Sequence, residues 1–286
     1  MKIIRTSAAM QKWSRTATSP IVFVPTMGAL HEGHMALVQR ARKLAGKNGS
    51  VVFSIFVNPM QFGPKEDLSR YPRPFKRDAT MCKEAGVDVI FHPIPDQIYP
   101  DGFSTAVDES SVSTSLCGAS RPEHFRGVCT VVLKLFNIVH PDTAVFGLKD
   151  YQQCRVLQRM VRDLAVPVKM DFVETVRESD GLALSSRNRY LSPEERLQAP
   201  IIRKALLAAR AAFRAGESSE TSLTNIVLRD IRKATDARPD YISVVNGESL
   251  QPVKSAKAND VIAVAIFFGK TRLIDNIRLL HQRLRA

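Results

Sequence analysis

Two histidines stand three residues apart in the run Pro25-Thr26-Met27-Gly28-Ala29-Leu30-His31-Glu32-Gly33-His34-Met35. Imidazoles are hydrogen-bonding groups whose charge changes close to neutral pH. A pair of them beside Gly33, which has no side chain to block a close approach, suits a bulky anion. The residues on either side strengthen this reading. Ile21-Val22-Phe23-Val24 has the length and β-branched content of a buried strand, and the spacing after the motif predicts an amphipathic helix over residues 34–45. The histidines therefore sit where a strand turns into a helix. Free backbone N–H groups and the positive end of the helix dipole gather there, and both favour phosphate.

Other stretches carry groups of complementary chemistry. Phe56-Val57-Asn58-Pro59-Met60-Gln61-Phe62-Gly63 follows a second strand pattern. The amides of Asn58 and Gln61 suit a hydroxyl or carboxylate where a full charge is unwanted, and an Asx turn is the equal alternative for Asn58. The run continues as Glu66-Asp67-Leu68-Ser69-Arg70-Tyr71-Pro72-Arg73, and Arg121 and His124 open a later helix, where they are candidates for carboxylate or phosphate contacts. Phe146-Gly147-Leu148-Lys149-Asp150-Tyr151-Gln152-Gln153 is another strand-to-helix turn. Gly147 lets backbone approach a sugar, Lys149 can neutralise phosphate, Asp150 can accept from ribose hydroxyls, and Gln153 lies one helical turn further on. Finally, Val176 precedes Gly181-Leu182-Ala183-Leu184-Ser185-Ser186-Arg187-Asn188, where two hydroxyls and a guanidinium in succession form a small phosphate clamp.

Taken together, these motifs resemble those of the pantothenate synthetase (pantoate–β-alanine ligase) family, within the wider nucleotidyltransferase group that carries a His-x-Gly-His signature. The resemblance covers nearly the whole chain, and Gly269-Lys270-Thr271-Arg272-Leu273-Ile274-Asp275-Asn276 also resembles the family, without an assigned role. It implies ATP-dependent ligation of pantoate and β-alanine through a pantoyl adenylate, with AMP and pyrophosphate released. It also implies Mg2+ carried on the ATP phosphates rather than in a protein metal site, and a homodimer. ATP would be bound by Met27, Gly28, Ala29, Leu30, His31, Glu32, Gly33, His34, Gly147, Leu148, Lys149, Asp150, Val176, Leu184, Ser185, Ser186 and Arg187. His34, His31, Lys149 and Arg187 would be catalytic. Gln61, Gln153 and Asn58 would bind pantoate or β-alanine, with Tyr71 and Asp78 as candidates to hold the amine substrate or the metal. The family's usual assignment makes His34 a proton donor; electrostatic hydrogen bonding from both histidines is an equal alternative, because sequence does not fix their protonation. The family commonly has Glu where this chain has Leu148, and Met where it has Leu184, so no side-chain role is assigned at 148.

These motifs need a scaffold that presents several strand ends together. Up to about residue 176, strand patterns at 21–24, 51–57, 87–91, 143–146 and 168–173 alternate with helical patterns at 34–45, 75–85, 128–139 and 151–164. That alternation predicts an α/β, Rossmann-like parallel sheet with helices on both faces, binding ligands beyond the carboxyl ends of its strands. After Leu191 the pattern changes. Ser192-Pro193-Glu194-Glu195 is a helix start. A long helix to about 216, a second over 222–235, and strands at 241–245, 261–268 and 271–276 predict a smaller α+β lid. The expected division is 1–176 for the nucleotide- and pantoate-binding domain and 177–286 for the lid.

Composition bounds the alternatives. At 44% hydrophobic and 24% charged, the 286 residues are those of an ordinary globular protein. No apolar run approaches the ~18 residues that span a bilayer. Met1-Lys2-Ile3-Ile4-Arg5 reads as a short strand with no signal-peptide core behind it. Cys82, Cys117, Cys129 and Cys154 show no Cys-x-x-Cys spacing, which predicts reduced, packed thiols in a cytoplasm. The net charge of +13 raises nucleic acid as a partner. The excess is spread, with 22 Lys and Arg against 16 Asp and Glu in residues 1–176 and 19 against 12 in 177–286. An even basic surface without a basic tail points to small anionic substrates or to solubility, not to nucleic acid. Two other readings are distinguishable by assay. A nucleotidyltransferase that stops at AMP transfer would show no β-alanine-dependent AMP release, and a nucleic-acid binder would shift RNA or DNA in a strongly salt-dependent way.

Overall fold

The computed structural model describes residues 1–17, 20–64 and 66–280. The order of elements is β1 (Lys2–Ile4), α1 (Ser7–Thr16), β2 (Ile21–Thr26), α2 (Glu32–Ala45), β3 (Ser50–Ile55), α3 (Phe75–Glu84), β4 (Val89–Phe91), α4 (Pro95–Ile98), α5 (Cys117–Ser120), α6 (His124–Val139), β5 (Thr143–Gly147), α7 (Tyr151–Asp163) and β6 (Lys169–Val173). There follow α8 (Pro193–Gln198), α9 (Ile201–Arg214), α10 (Glu220–Ile231), β7 (Ala237–Val245), β8 (Val261–Phe268) and β9 (Thr271–Arg278).

The first six strands form one parallel sheet in the order β1-β4-β3-β2-β5-β6. The central strands are apolar throughout because both faces are covered. Ile21 and Phe23 pack with Val128, Val132 and Phe136 of α6 on one face. Val22 and Val24 pack with Met35, Val38 and Cys82 of α2 and α3 on the other. The Rossmann-like expectation holds, and so does the consequence for ligands. From β2 the chain winds outward through β3 to β4, whereas β5 adds on the opposite side of β2, so strand order reverses between β2 and β5. A crevice opens at such a reversal, at the carboxyl ends of the two strands. The histidine turn leaves β2 and the Gly147 corner leaves β5, which places two of the predicted motifs side by side.

Residues beyond 182 build a second core, in which Leu206, Leu223, Val227 and Phe268 are fully buried between α9, α10 and the antiparallel meander β7-β8-β9. The capping box forms as the sequence predicts, with Ser192 Oγ accepting from Glu195 N and the Glu195 carboxylate accepting from Ser192 N. Two expectations are corrected. The single long helix is two, because Pro200 lacks an N–H and its ring would clash with the preceding turn, so α8 ends and α9 begins around it. Helix α1 was not expected at all; Thr6 caps it, and Met10 alone of its large side chains is fully buried. The two cores meet. Val245, Leu250 and Val261 join the first core, and the Tyr151 hydroxyl donates to Gly247 O at 2.7 Å.

Candidate active site

The histidine turn is built almost wholly from backbone. Thr26 Oγ1 accepts from Gly28 N at 3.1 Å and donates to Ser54 O at 2.8 Å, tying the end of β2 to β3. Gly28 lies at φ +85°, and a β-carbon there would stand 2.9 Å from Ile55 Cγ2, so glycine is required on both counts. The buried carboxylate of Asp78, from α3, accepts from Ala29 N at 2.8 Å and Leu30 N at 2.9 Å. It clamps the turn from behind and is absent from the cleft wall, so it does not hold amine or metal as the resemblance suggested.

The two imidazoles are equally constrained. His31 is the N-cap of α2, and its Nδ1 accepts from Gly33 N at 3.2 Å. His34 Nδ1 accepts from His31 N at 3.3 Å. A β-carbon at Gly33 would lie 2.9 Å from the His31 ring, so the ring folds onto the helix start only over glycine. The ring centroids are 4.1 Å apart. An Nδ1 that accepts leaves the proton on Nε2, so both rings are neutral Nε2–H donors. Electrostatics agrees. Burial, then the positive charges of Lys149 and Arg189, lowers the His31 pKa to about 4. Burial, then His31 and Lys149, lowers that of His34 to about 3.

Around this pair lies a cleft of about 980 Å³, at the upper end of the size range of small-molecule sites. Lys149 and Asp150 reach it from the end of β5, with Lys149 Nζ 3.3 Å from Asp150 Oδ1. Asn276 of β9 supports this corner, donating through Nδ2 to Leu148 O at 2.9 Å and Lys149 O at 3.0 Å. The loop 184–187 closes against the histidine turn: a β-carbon on Gly33 would stand 3.7 Å from Leu184 Cβ. Ser185 Oγ accepts from Arg187 N at 3.2 Å, and the Arg187 guanidinium faces Asp67 across the cleft at 3.0 Å. Gln61 and Gln153 line the same space.

Met27, His31, Gly33, His34, Gln61, Gly147, Lys149, Asp150, Gln153, Val176, Leu184, Ser185, Ser186 and Arg187 thus come together as the sequence predicts. Others do not reach the cleft. Ala29 and Leu30 turn into the core, Gly28 lies behind the wall against Ile55, and Glu32 is exposed on the far side of the helix start. Leu148 is buried among apolar side chains, so what it offers a ligand is its backbone. Asn58 borders the cleft, but it is 1% exposed and every polar atom of its amide is used. Its Nδ2 donates to Gln61 Oε1 at 3.1 Å and Gly127 O at 3.0 Å, and its Oδ1 accepts from Tyr99 Oη at 2.7 Å and Met60 N at 3.3 Å. Asn58 therefore aims the Gln61 side chain. Arg121 and His124 are likewise occupied. Arg121 makes a bidentate pair with Glu66 at 2.6 and 2.7 Å, and His124 Nδ1 donates to Gln61 O at 2.8 Å.

Sequence reasoning missed the contribution of the second sheet. Asp240, Tyr241, Arg272 and Asp275 line the cleft, and Arg177 holds the buried Asp275 at 2.7 and 2.9 Å. Asp240 and Tyr241 carry no local signal, because β7 reads as ordinary antiparallel strand; Arg272 and Asp275 stand in the Gly269–Asn276 run that resembles the family but has no role assigned from sequence. Among the described residues no group of three or more His, Cys, Asp or Glu side chains could hold a metal ion.

Comparison with known proteins agrees with this geometry. Residues 2–278 match the family described as pantoate-beta-alanine ligase. The pantothenate synthetase of Syntrophotalea carbinolica is 50% identical over 285 residues, covering 99% of this chain and 100% of the relative. That of Thermotoga petrophila is 51% identical over 279 residues, covering 96% and 99%. Among solved structures, the pantothenate synthetase of Thermus thermophilus superposes with a TM-score of 0.92 at 46% identity, over 98% of this chain and 100% of that one. The pantoate-beta-alanine ligase of Francisella tularensis, complexed with beta-gamma ATP and beta-alanine, superposes with a TM-score of 0.79 at 34% identity, over 98% of each chain. This chain is an enzyme and belongs to the pantoate–β-alanine ligase family.

Proposed function

We propose that the cleft joins pantoate to β-alanine at the expense of ATP in two steps. In the first, a pantoate carboxylate oxygen attacks the α-phosphorus of ATP, the bond from that phosphorus to the bridging oxygen breaks, and pyrophosphate leaves. In the second, the β-alanine nitrogen attacks the acyl carbon, the bond to AMP breaks, and the nitrogen gives up a proton. The first step asks for little covalent work from side chains, so positioning and charge neutralisation carry it. His31 and His34 donate from Nε2 to phosphate oxygens without adding charge. Lys149 and Arg187 supply the positive charge, and Ser185 and Ser186 supply hydroxyl donors. Asp150 accepts from the ribose hydroxyls. Gln61, aimed by Asn58, and Gln153 receive pantoate and β-alanine. Mg2+ favours oxygen ligands and would accompany the triphosphate, adding positive charge beside Lys149 and Arg187.

One observation supports this reading above the rest: donors, cations and amides from five separated segments converge on a single cleft at the strand reversal. An acyl adenylate hydrolyses in water, which gives residues 177–286 a reason to act as a lid hinged near 176–190. A cytoplasmic setting fits four free, buried thiols, and no described helix is long and apolar enough to cross a membrane. Family resemblance supports a homodimer. The reaction is tested by pyrophosphate release from ATP and pantoate without β-alanine. A burst near one equivalent per site, becoming continuous turnover when β-alanine is added, is expected; release that requires β-alanine from the outset contradicts the two-step order.

A further inference from the structure

The loop that carries Ser185, Ser186 and Arg187 is fastened to the opposite wall. The Arg187 guanidinium donates to Asp67 Oδ1 at 3.0 Å, and Tyr190 Oη donates to Arg70 O at 3.4 Å. At its near end the same segment is anchored by Glu66 on Arg121. The contact at Asp67 differs from the others because it occupies the one guanidinium that the departing pyrophosphate needs. Asp67 is also short of partners. Its side chain is 15% exposed, and Oδ2 is buried with no hydrogen-bond partner among the described residues, so Arg187 compensates this carboxylate alone. Breaking such a pair leaves an uncompensated, poorly solvated charge, which is costly. Phosphate oxygens arriving at Arg187 bring like charge against that carboxylate, and the low local dielectric strengthens the repulsion.

We propose that Asp67 is a positioning residue that competes with pyrophosphate for Arg187. Paired with Asp67, the guanidinium latches segment 66–71 to the loop 184–190. When the cleft is filled it turns to the phosphates, and on release Asp67 takes it back. Asp67 thereby weakens the grip on a product that must leave before the amine attacks. The latch rests on the reading of Arg187 as a pyrophosphate ligand.

The test is calorimetric titration of the full chain with pyrophosphate, for the wild type and for Asp67→Asn, which keeps the shape and removes the charge. The variant is expected to bind pyrophosphate about three- to tenfold more tightly, the range that a partly exposed charge-assisted contact supports. Its affinity for AMP, which lacks the leaving phosphates, is expected to stay within about twofold. A merely structural Asp67 would lose affinity on substitution, so an unchanged or weaker pyrophosphate affinity overturns the latch. A wild type that binds no pyrophosphate overturns both the latch and the reading beneath it; normal wild-type binding with an indifferent variant overturns the latch alone. Hydrogen exchange on the wild type needs no variant to fold. Pyrophosphate is expected to speed exchange of the amides in 66–71 while AMP does not, and unchanged or slowed exchange overturns the latch.

Discussion

The two walls of the cleft hold the groups proposed to meet phosphate in opposite ways. On the side of β2 the histidines are fixed by main chain: each Nδ1 accepts a backbone N–H, and the turn beneath them hangs on the buried Asp78 carboxylate. On the other side Arg187 is held by another side chain, the Asp67 carboxylate, which the proposed latch would yield to pyrophosphate. The first wall is preorganised. Its donors need no rearrangement when charge develops, which is where electrostatic catalysis gains most. The second wall exchanges partners and so suits a group that must grip and then let go. Neutral rings also explain the division of labour. Two imidazolium ions with centroids 4.1 Å apart would repel each other, whereas two neutral donors do not.

If the fixed wall is the catalytic one, breaking it should cost most. His34→Ala removes one preorganised donor, and single-turnover adenylate formation should slow by about a hundredfold or more, from ~2.7–4 kcal/mol of lost barrier stabilisation. A rate within about fivefold of wild type would equate the two walls and remove the distinction. Asp78→Ala attacks the same wall from behind. It leaves Ala29 N and Leu30 N buried without their acceptor, and should lower stability by about 1–3 kcal/mol while slowing adenylate formation through the displaced turn. A normal melting temperature would show that the turn holds its shape without the carboxylate.

A smaller effect appears in the pH dependence of stability. The folded pKa values, about 4 for His31 and about 3 for His34, lie below the ordinary 6.5. Between those values the unfolded chain binds protons that the folded chain does not, so stability falls as pH drops through 6.5 towards 4 and is full above 6.5. Denaturant unfolding of the wild type and of a His31→Gln, His34→Gln double variant, followed from pH 8 to pH 5, isolates this contribution. The wild type should lose more stability on acidification to pH 5; parallel curves would mean the rings titrate normally.

Much of this arrangement was legible in the sequence, for physical reasons. β2, β3 and β5 are buried on both faces, so they read as short apolar runs, and each motif follows such a run directly. Gly28 marks a turn that only glycine permits, and Gly33 leaves room at the helix start for the His31 ring. What stayed hidden depends on partners far along the chain. Asp78 looks like an ordinary helix carboxylate until Ala29 and Leu30, 49 and 48 residues away, are seen to donate to it. Asn58 has the chemistry of a ligand-binding amide, but all of it is used on Gln61, Tyr99 and Gly127. Leu148 stands inside a nucleotide-binding motif yet packs into the core as its apolar side chain dictates.

Whether His31 and His34 can meet phosphate as neutral Nε2–H donors is read by 15N NMR of the histidine ring nitrogens in the free enzyme across pH. Two rings with protonated Nε2 and unprotonated Nδ1 are expected from pH 8 down to pH 5, titrating only near 4 and 3. Rings protonated on Nδ1, or titrating at the ordinary 6.5, would contradict it.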